Sequence, residues 1–119
     1  MQYIGIDIIE ITRIKRAIDH WGDSFLGRVY TPLELELYRH RPPSLAARFA
    51  GKEAVIKALQ AKGIGLKEIE ILADTDGRPL VHLHGRAKSQ AQELGLDSLA
   101  VSLSHCRDYA IACAAGQAP

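Results

Sequence analysis

Residues 46–59 read AARFAGKEAVIKAL and predict a long central helix that carries charge inside its apolar stripe. Phe49 and Ile56 recur at a spacing that places both side chains on one helical face. Glu53 lies within that face, and Lys57 follows it one turn later. A charge so close to a core is costly unless it is paired or binds a metal or ligand. We therefore expect this helix to carry a functional group as well as a packing face.

The composition is that of an ordinary globular protein. The 119 residues are 47% hydrophobic and 24% charged, with a formal net charge of +1, and this length predicts a single domain over residues 1–119. Near-neutral charge argues against a general polyanion binder, so no nucleic acid partner is expected. No segment reaches the roughly 18 apolar residues that a membrane span needs, and no signal peptide is visible, so we expect a cytoplasmic protein without membrane contact.

The two cysteines lie close together near the end of the chain. Cys106 and Cys113 flank a turn predicted at Arg107 and Asp108, and in that arrangement they would not face each other. Buried free thiols are therefore expected rather than a disulfide.

Turn and cap signals divide the chain into short elements. Thr31 and Glu34 form a predicted capping box with Pro32 at the first helical position, which begins a short helix. Ser44 is expected to cap the central helix, and Gly63 is expected to end it after residue 61. The remaining predicted elements are a strand at 3–11, a helix from residue 12, a hairpin with strands at 69–73 and 79–83, a helix at 86–94, and strands at 99–104 and 109–114.

This order of elements predicts an α+β fold. An antiparallel sheet should carry the long central helix, and the other helices should pack on the same side.

A second charged residue, Asp7, lies within the predicted first strand. Asp7 lies within an isoleucine-rich strand, in which aspartate is a poor strand former. Strand alternation places Gly5, Asp7 and Ile9 on one face, and the glycine lets a ligand or another backbone come close. Two carboxylates from separate elements suit a hard cation such as Mg²⁺, so Asp7 and Glu53 are the predicted metal pair. The alternative is that Asp7 caps a neighbouring helix and Glu53 pairs with Lys57.

Three motifs resemble those of one enzyme family. They are Gly5-Ile6-Asp7, the run RFAGKEAVIKA at residues 48–58, and Ser102-Leu103-Ser104-His105. Together they resemble the holo-[acyl-carrier-protein] synthases, which are 4'-phosphopantetheinyl transferases, in the same order and spacing over essentially the whole chain. The central run is the specific element of the three. Cys106 departs from the pattern, since threonine often follows the histidine.

The resemblance implies the 4'-phosphopantetheinyl transferase fold and an activity. Members of the family transfer the phosphopantetheine arm of coenzyme A to a serine of apo acyl carrier protein, which leaves adenosine 3',5'-bisphosphate and supports fatty acid biosynthesis. Asp7 and Glu53 would hold magnesium at the pyrophosphate, and Lys57 would contact the same phosphates. Either Glu53 or a metal-bound water would accept the serine proton.

The resemblance also implies contacts with coenzyme A. His105 and Arg48 would hold the nucleotide and its phosphates, and the turn at Gly77 and Pro79 would lie near the adenine. Without the resemblance, His105 could equally be a histidine hydrogen-bonded at a strand end.

Two further implications concern partners. Arg13 and Arg16 on the first helix would meet an acidic helix of the carrier protein, although an ordinary solvated face would show the same spacing. Short members of the family assemble as homotrimers, with active sites at the subunit boundaries and some coenzyme contacts from the neighbouring chain.

Two other functions fit the residues less well. One is the same chemistry on a different carrier, such as a domain of a polyketide or peptide synthetase. The other is a nonenzymatic module that binds RNA through Lys52, Lys57, Arg13 and Arg16. Near-neutral charge and only two phenylalanines weigh against the second, because single-strand binding usually uses aromatic platforms in a positive groove.

Overall fold

The computed structural model describes all 119 residues. None of its helices combines the length and apolar character needed to cross a bilayer. The elements, in chain order, are β1 (Gln2–Glu10), α1 (Ile11–Trp21), α2 (Asp23–Val29), α3 (Pro32–Tyr38), α4 (Pro42–Leu59), a 3₁₀ turn (Leu66–Glu68), β2 (Ile69–Ala73), β3 (Pro79–Leu83), α5 (Gly85–Leu94), β4 (Ser98–His105) and β5 (Tyr109–Gln117).

The strands form two antiparallel sheets, as the α+β prediction requires. One has three strands in the order β1-β5-β4, and the other is the β2–β3 hairpin. Asp7 on β1 lies opposite Ala112 on β5, whose neighbour on β4 is Leu103. The central strand β5 thus sets the relative positions of the N-terminal and C-terminal motifs.

Small residues allow α4 to lie unusually close to both sheets. A Cβ built at Gly5 would lie 1.9 Å from the carbonyl oxygen of Ala54 and 2.8 Å from the backbone nitrogen of Ala58. A Cβ built at Gly51 would lie 2.6 Å from Cδ1 of Ile71 on the hairpin. A larger side chain at Gly5 would force the helix away from the sheet, because its neighbours are backbone atoms, whereas at Gly51 the Ile71 side chain would have to shift.

The predicted face alternation of β1 is confirmed. Gly5 and Ile9 are buried against α4, whereas the side chains of Ile4, Ile6 and Ile8 are 61%, 57% and 60% exposed on the other face. We call this face of β1-β5-β4, which also bears Tyr109, Ile111 and Cys113, the outer face of the sheet. It is an unusually apolar surface for a strand face in water.

The helix boundaries were predicted with mixed success. The capping box is confirmed, with the Thr31 side chain accepting from Glu34 N and the Glu34 side chain accepting from Thr31 N. The prediction that Ser44 caps the long helix is wrong, because α4 already begins at Pro42, where a proline's missing N–H and fixed φ are well accommodated. The predicted end at Gly63 is also wrong, since Gln60 adopts the left-handed conformation after Leu59.

Two other features differ from the prediction. Helix α2 was not predicted, because only a glycine with a positive φ, Gly22, separates it from α1. Cys106 and Cys113 form no disulfide, as expected, but both are exposed rather than buried. Cys113 faces outward because it opposes Ile6 across the β1–β5 pair.

Candidate active site

A cleft lies where β1, α1, α2 and α4 meet, and it holds both carboxylates of the predicted metal pair. Its volume is about 260 Å³. Most of the wall is apolar, which limits access of water to the charged groups. The residues that line it are Asp7, Ile8, Ile9, Arg13, Ile14, Ala17, Phe25, Phe49 and Glu53.

Lys57 joins this cleft through Asp7. Its ammonium group lies 3.2 Å from Oδ1 of Asp7 and donates a hydrogen bond of 2.9 Å to the carbonyl oxygen of Ile6. The Asp7 side chain is 19% exposed and that of Lys57 is 55% exposed. Lys57 is therefore tied to β1 but keeps donor capacity toward solvent or a ligand.

The environment of Glu53 disfavours its negative charge. Partial burial raises the pKa of Glu53, the nearby charge of Asp7 raises it further, and Lys57 opposes both effects. Two carboxylates that repel each other at a cleft wall are an arrangement that a bound cation would relieve.

The donor set fits magnesium. The structure clusters no three side chains of the His, Cys, Asp or Glu type that could enclose an ion. Mg²⁺ usually takes only one or two carboxylates and completes its octahedron with water and phosphate oxygens, so Asp7 and Glu53 beside an open cleft suffice.

The alternative interpretation of these carboxylates is wrong in both parts. Asp7 caps no helix, and its ion-pair partner is Lys57. Glu53 forms no salt bridge with Lys57 within 4.0 Å, although the two residues lie one turn apart.

The predicted docking arginines lie on α1, and both are exposed. Arg13 lines the cleft beside Asp7 and Glu53, whereas Arg16 lies outside it. A partner that contacts Arg13 would therefore come within reach of the two carboxylates.

Four predicted coenzyme-binding residues lie outside the cleft of their own chain. Arg48 is buried, with its Nε donating to the carbonyl oxygen of Ile71 at 3.0 Å and its guanidinium 3.7 Å from the Tyr38 ring centre. Gly77 occupies the turn of the β2–β3 hairpin with φ +83, and Pro79 begins β3.

His105 is exposed at the end of β4. It lines a separate groove of about 290 Å³, which also contains Ile8, Cys106 and Tyr109. This groove opens at the outer face of the sheet, since Ile8, Tyr109 and Ile111 of that face also line it.

The structural roles of two residues, Phe25 and Lys52, were not identified from the sequence. Phe25 forms part of the cleft wall from α2, the helix that was missed. Lys52 was considered only as part of a surface patch, but its side chain is fully buried and paired with Glu34 at 2.7 Å. Of the four basic residues in the RNA-binding alternative, Lys52 is therefore unavailable to a ligand at the surface. Lys57 is exposed but already paired with Asp7.

Comparisons with known proteins agree with this geometry. The model of the 4'-phosphopantetheinyl transferase superfamily matches residues 3–114. A holo-[acyl-carrier-protein] synthase of Dehalococcoides mccartyi is 56% identical, over 98% of this chain and 99% of the relative. A second such synthase, of Moorella thermoacetica, is 54% identical over 92% of this chain and 89% of the relative.

Solved structures show the same fold. The Helicobacter pylori holo-[acyl-carrier-protein] synthase in complex with coenzyme A superposes with a TM-score of 0.86 at 34% identity, covering 96% of this chain and 99% of that one. The Chronobacterium ammoniagenes complex with coenzyme A gives a TM-score of 0.85 at 30% identity, covering 100% and 98% of the two chains.

Proposed function

Because the chain belongs to the 4'-phosphopantetheinyl transferase superfamily, we propose that it transfers 4'-phosphopantetheine from coenzyme A to a serine of apo acyl carrier protein. It is then a holo-[acyl-carrier-protein] synthase, like the relatives that carry that name. The observation that carries this proposal is the cluster of Asp7, Glu53 and Lys57 beside the cleft. Two carboxylates and an ammonium group are the charges that a pyrophosphate substrate with a hard cation requires.

Asp7 and Glu53 hold magnesium in this proposal. When bound, magnesium would supply positive charge that offsets the negative charge developing on the phosphate leaving group. Lys57 remains near Asp7 and directs its free donors at the same phosphates. Its bond to the carbonyl oxygen of Ile6 fixes the ammonium group in place before the substrate arrives.

The transfer itself is a displacement at phosphorus. The serine oxygen forms a bond to the phosphorus of the pantetheine phosphate, and the bond from that phosphorus to the bridging pyrophosphate oxygen breaks. Adenosine 3',5'-bisphosphate leaves with the bonding electrons. The serine proton goes either to Glu53 or to a water molecule beside it.

Mass spectrometry of an apo acyl carrier protein tests the activity directly. Incubation with this protein, coenzyme A and Mg²⁺ is expected to add the mass of one phosphopantetheine, and a chelator is expected to prevent the gain. Apo carriers from fatty acid, polyketide and peptide synthetic systems should be compared, since the same chemistry could serve any of them. If no carrier gains mass, the transferase proposal is wrong.

The coenzyme site is proposed to extend across a subunit boundary in a homotrimer. His105, Gly77, Pro79 and Arg48 would contact coenzyme A, yet none of them lines the cleft that contains Asp7 in the same chain. The groove beside His105 opens toward the outer face, where the exposed isoleucines need a covering surface. Assembly through this face would bring one chain's groove to the cleft of its neighbour.

Ile6→Lys is expected to break this assembly. A lysine in the middle of the outer face would place a charge in an apolar interface, which is strongly unfavourable without a partner. Analytical ultracentrifugation should show a trimer for the wild type and monomers for the variant, with loss of transfer. Leu37→Lys, at a similarly exposed position on α3, should remain trimeric. A wild type that is monomeric at micromolar concentration would contradict the proposal.

Arg13 and Arg16 are proposed to dock the acidic carrier protein. Arg13→Glu is expected to raise the KM for the carrier about tenfold or more, because like charges across an interface slow association and weaken the complex. Steady-state kinetics at two salt concentrations should show a reduced salt dependence in the variant. Lys88→Glu on α5 makes the same change of charge at a distant exposed site and should leave KM unchanged. An unchanged KM for Arg13→Glu would exclude docking through this arginine.

The cellular setting completes the proposal. We place the enzyme in the cytoplasm, acting as a single domain over residues 1–119 in support of fatty acid biosynthesis. One continuous hydrophobic core, which joins α4 to both sheets, supports the assignment of a single domain.

A further inference from the structure

A buried ion pair connects α4 to the rest of the fold at the residue before Glu53. The Lys52 ammonium donates to Oε1 of Glu34 at 2.7 Å and also to the carbonyl oxygens of Leu66 and Ile69. All three of its donors are therefore used. Glu34 also accepts from the backbone N–H of Ile71 through Oε2 at 2.8 Å, so the pair links α3, α4 and β2.

The glycine and alanine contacts of α4 with the sheets are close but apolar. Gly51, Ala54 and Ala58 lie against the sheets, and their surfaces have few projecting atoms. Apolar contact of this kind favours burial but does not depend on direction. Larger side chains of α4, namely Leu45, Val55 and Leu59, are also fully buried, but their contacts are apolar as well. Directional restraint on the helix must therefore come from polar bonds.

The position of Glu53 relative to Asp7 depends on how α4 is rotated about its axis. An α-helix turns about 100° and rises about 1.5 Å per residue, so a small rotation or shift of α4 moves Glu53 relative to Asp7 on β1. Hydrogen bonds, unlike apolar contacts, fix direction as well as distance. Lys52, which adjoins Glu53 in the chain, provides three of them.

We infer that Lys52 and Glu34 are positioning residues, whose buried bonds set the rotation and axial position of α4 and so the spacing of the metal pair Asp7 and Glu53. This inference rests on the proposed function for the identity of that pair. It also explains why a buried ion pair is present where apolar residues would fold equally well. Neither residue touches the substrate.

The double variant Glu34→Gln/Lys52→Met tests the inference. It removes both charges and keeps side chains of similar size. The amide oxygen of the introduced glutamine can accept from the backbone N–H of Ile71, whereas its NH₂ group cannot accept from the backbone N–H of Thr31 as Oε1 does, so the variant is expected to fold with a lower Tm. Mn²⁺ binding, measured by electron paramagnetic resonance of the free ion without coenzyme or carrier, should weaken about tenfold or more, as when supports of metal ligands are removed. The Mg²⁺ concentration for half-maximal transfer should rise in parallel.

Val55→Ala is the matched control. Val55 is fully buried on the same helix, and its truncation loosens packing without touching the polar bonds. Metal binding should remain near that of the wild type in this variant even if its Tm falls. Equal Mn²⁺ affinity of the folded double variant and the wild type would overturn the inference.

A second variant decides the question if the double variant does not fold. Glu34→Gln alone keeps Lys52. Its one amide oxygen can replace either Oε1, which accepts from Lys52, or Oε2, which accepts from Ile71, but not both, so it should give a smaller but measurable weakening of Mn²⁺ binding. No weakening would again overturn the inference. Because Mn²⁺ binding is measured without transfer, a failure of the proposed transferase activity would appear separately, in the carrier protein assay.

Discussion

Glu53→Gln is expected to lower the rate of phosphopantetheine transfer by about 10²-fold or more, while leaving the protein folded and slightly more resistant to heat. The loss follows from removing a metal ligand and a candidate proton acceptor, each a contribution of that order. The gain in stability follows from removing a charge that partial burial disfavours and that Asp7 repels. Stability and activity should thus change in opposite directions.

The difference in stability between Glu53→Gln and the wild type should increase with pH. The pKa of Glu53 is raised in the folded protein, so folding favours the protonated carboxyl group. That favourable contribution is complete below the pKa of the unfolded chain, about 4.3, and is lost as pH rises through the higher pKa of the folded state. The Tm advantage of Glu53→Gln should therefore grow across this interval and then level off.

Thermal unfolding with and without Mg²⁺ measures this effect, and the carrier protein assay measures the activity. Saturating Mg²⁺ should raise the Tm of the wild type and not that of Glu53→Gln, since ligands that bind the folded state stabilise it. Glu93→Gln on α5 removes an exposed carboxylate elsewhere and should change neither quantity. Transfer at the wild-type rate by Glu53→Gln would show that Glu53 is neither a necessary ligand nor the base.

Gly5→Ala is expected to destabilise the protein by about 3 kcal/mol or more, at or above the top of the usual range of about 1–3 kcal/mol for overpacking. The added methyl would lie 1.9 Å from the carbonyl oxygen of Ala54. Because its neighbours are backbone atoms of α4, no side chain can rotate to make room. A domain is stable by only about 5–15 kcal/mol, so the variant should unfold at a much lower denaturant concentration.

Chemical denaturation of the variant should be compared with that of Gly27→Ala. Gly27 lies within α2, and no atom lies within 4 Å of a Cβ built there. Alanine should be neutral or stabilising at that position, by up to about 1 kcal/mol. Similar midpoints for the two variants would mean that β1 and α4 do not approach as closely as described.

The sequence predicted those features that depend on neighbours along the chain. Strand alternation correctly placed Gly5 and Asp7 on the inner face, and the capping box at Thr31 was recognisable from four consecutive residues. The α+β class followed from the order of the elements. Asp7 and Glu53, although distant in the chain, were singled out because stability alone would not place charges there; the structure brings both to one cleft, and their role as metal ligands stays a prediction.

Features that depend on distant parts of the chain could not be predicted in this way. Lys52 is buried because Glu34, 18 residues earlier, reaches it from α3, and no local pattern shows that contact. Arg48 turns into the interior because Ile71 offers its carbonyl oxygen. Cys113 was expected to be buried, because the sequence of one strand does not show that one face of the sheet is left uncovered.

Because of the isoleucines on the outer face of the sheet, we expect the solubility and the activity of the protein to depend on its concentration. A newly synthesised chain that has folded alone still exposes Ile4, Ile6 and Ile8 together, and such patches promote aggregation when nothing covers them. In the proposed trimer these residues would be covered by association, which follows mass action. Dilution of a purified sample should therefore lower its specific activity, and overproduction of a variant unable to associate should yield mainly insoluble material.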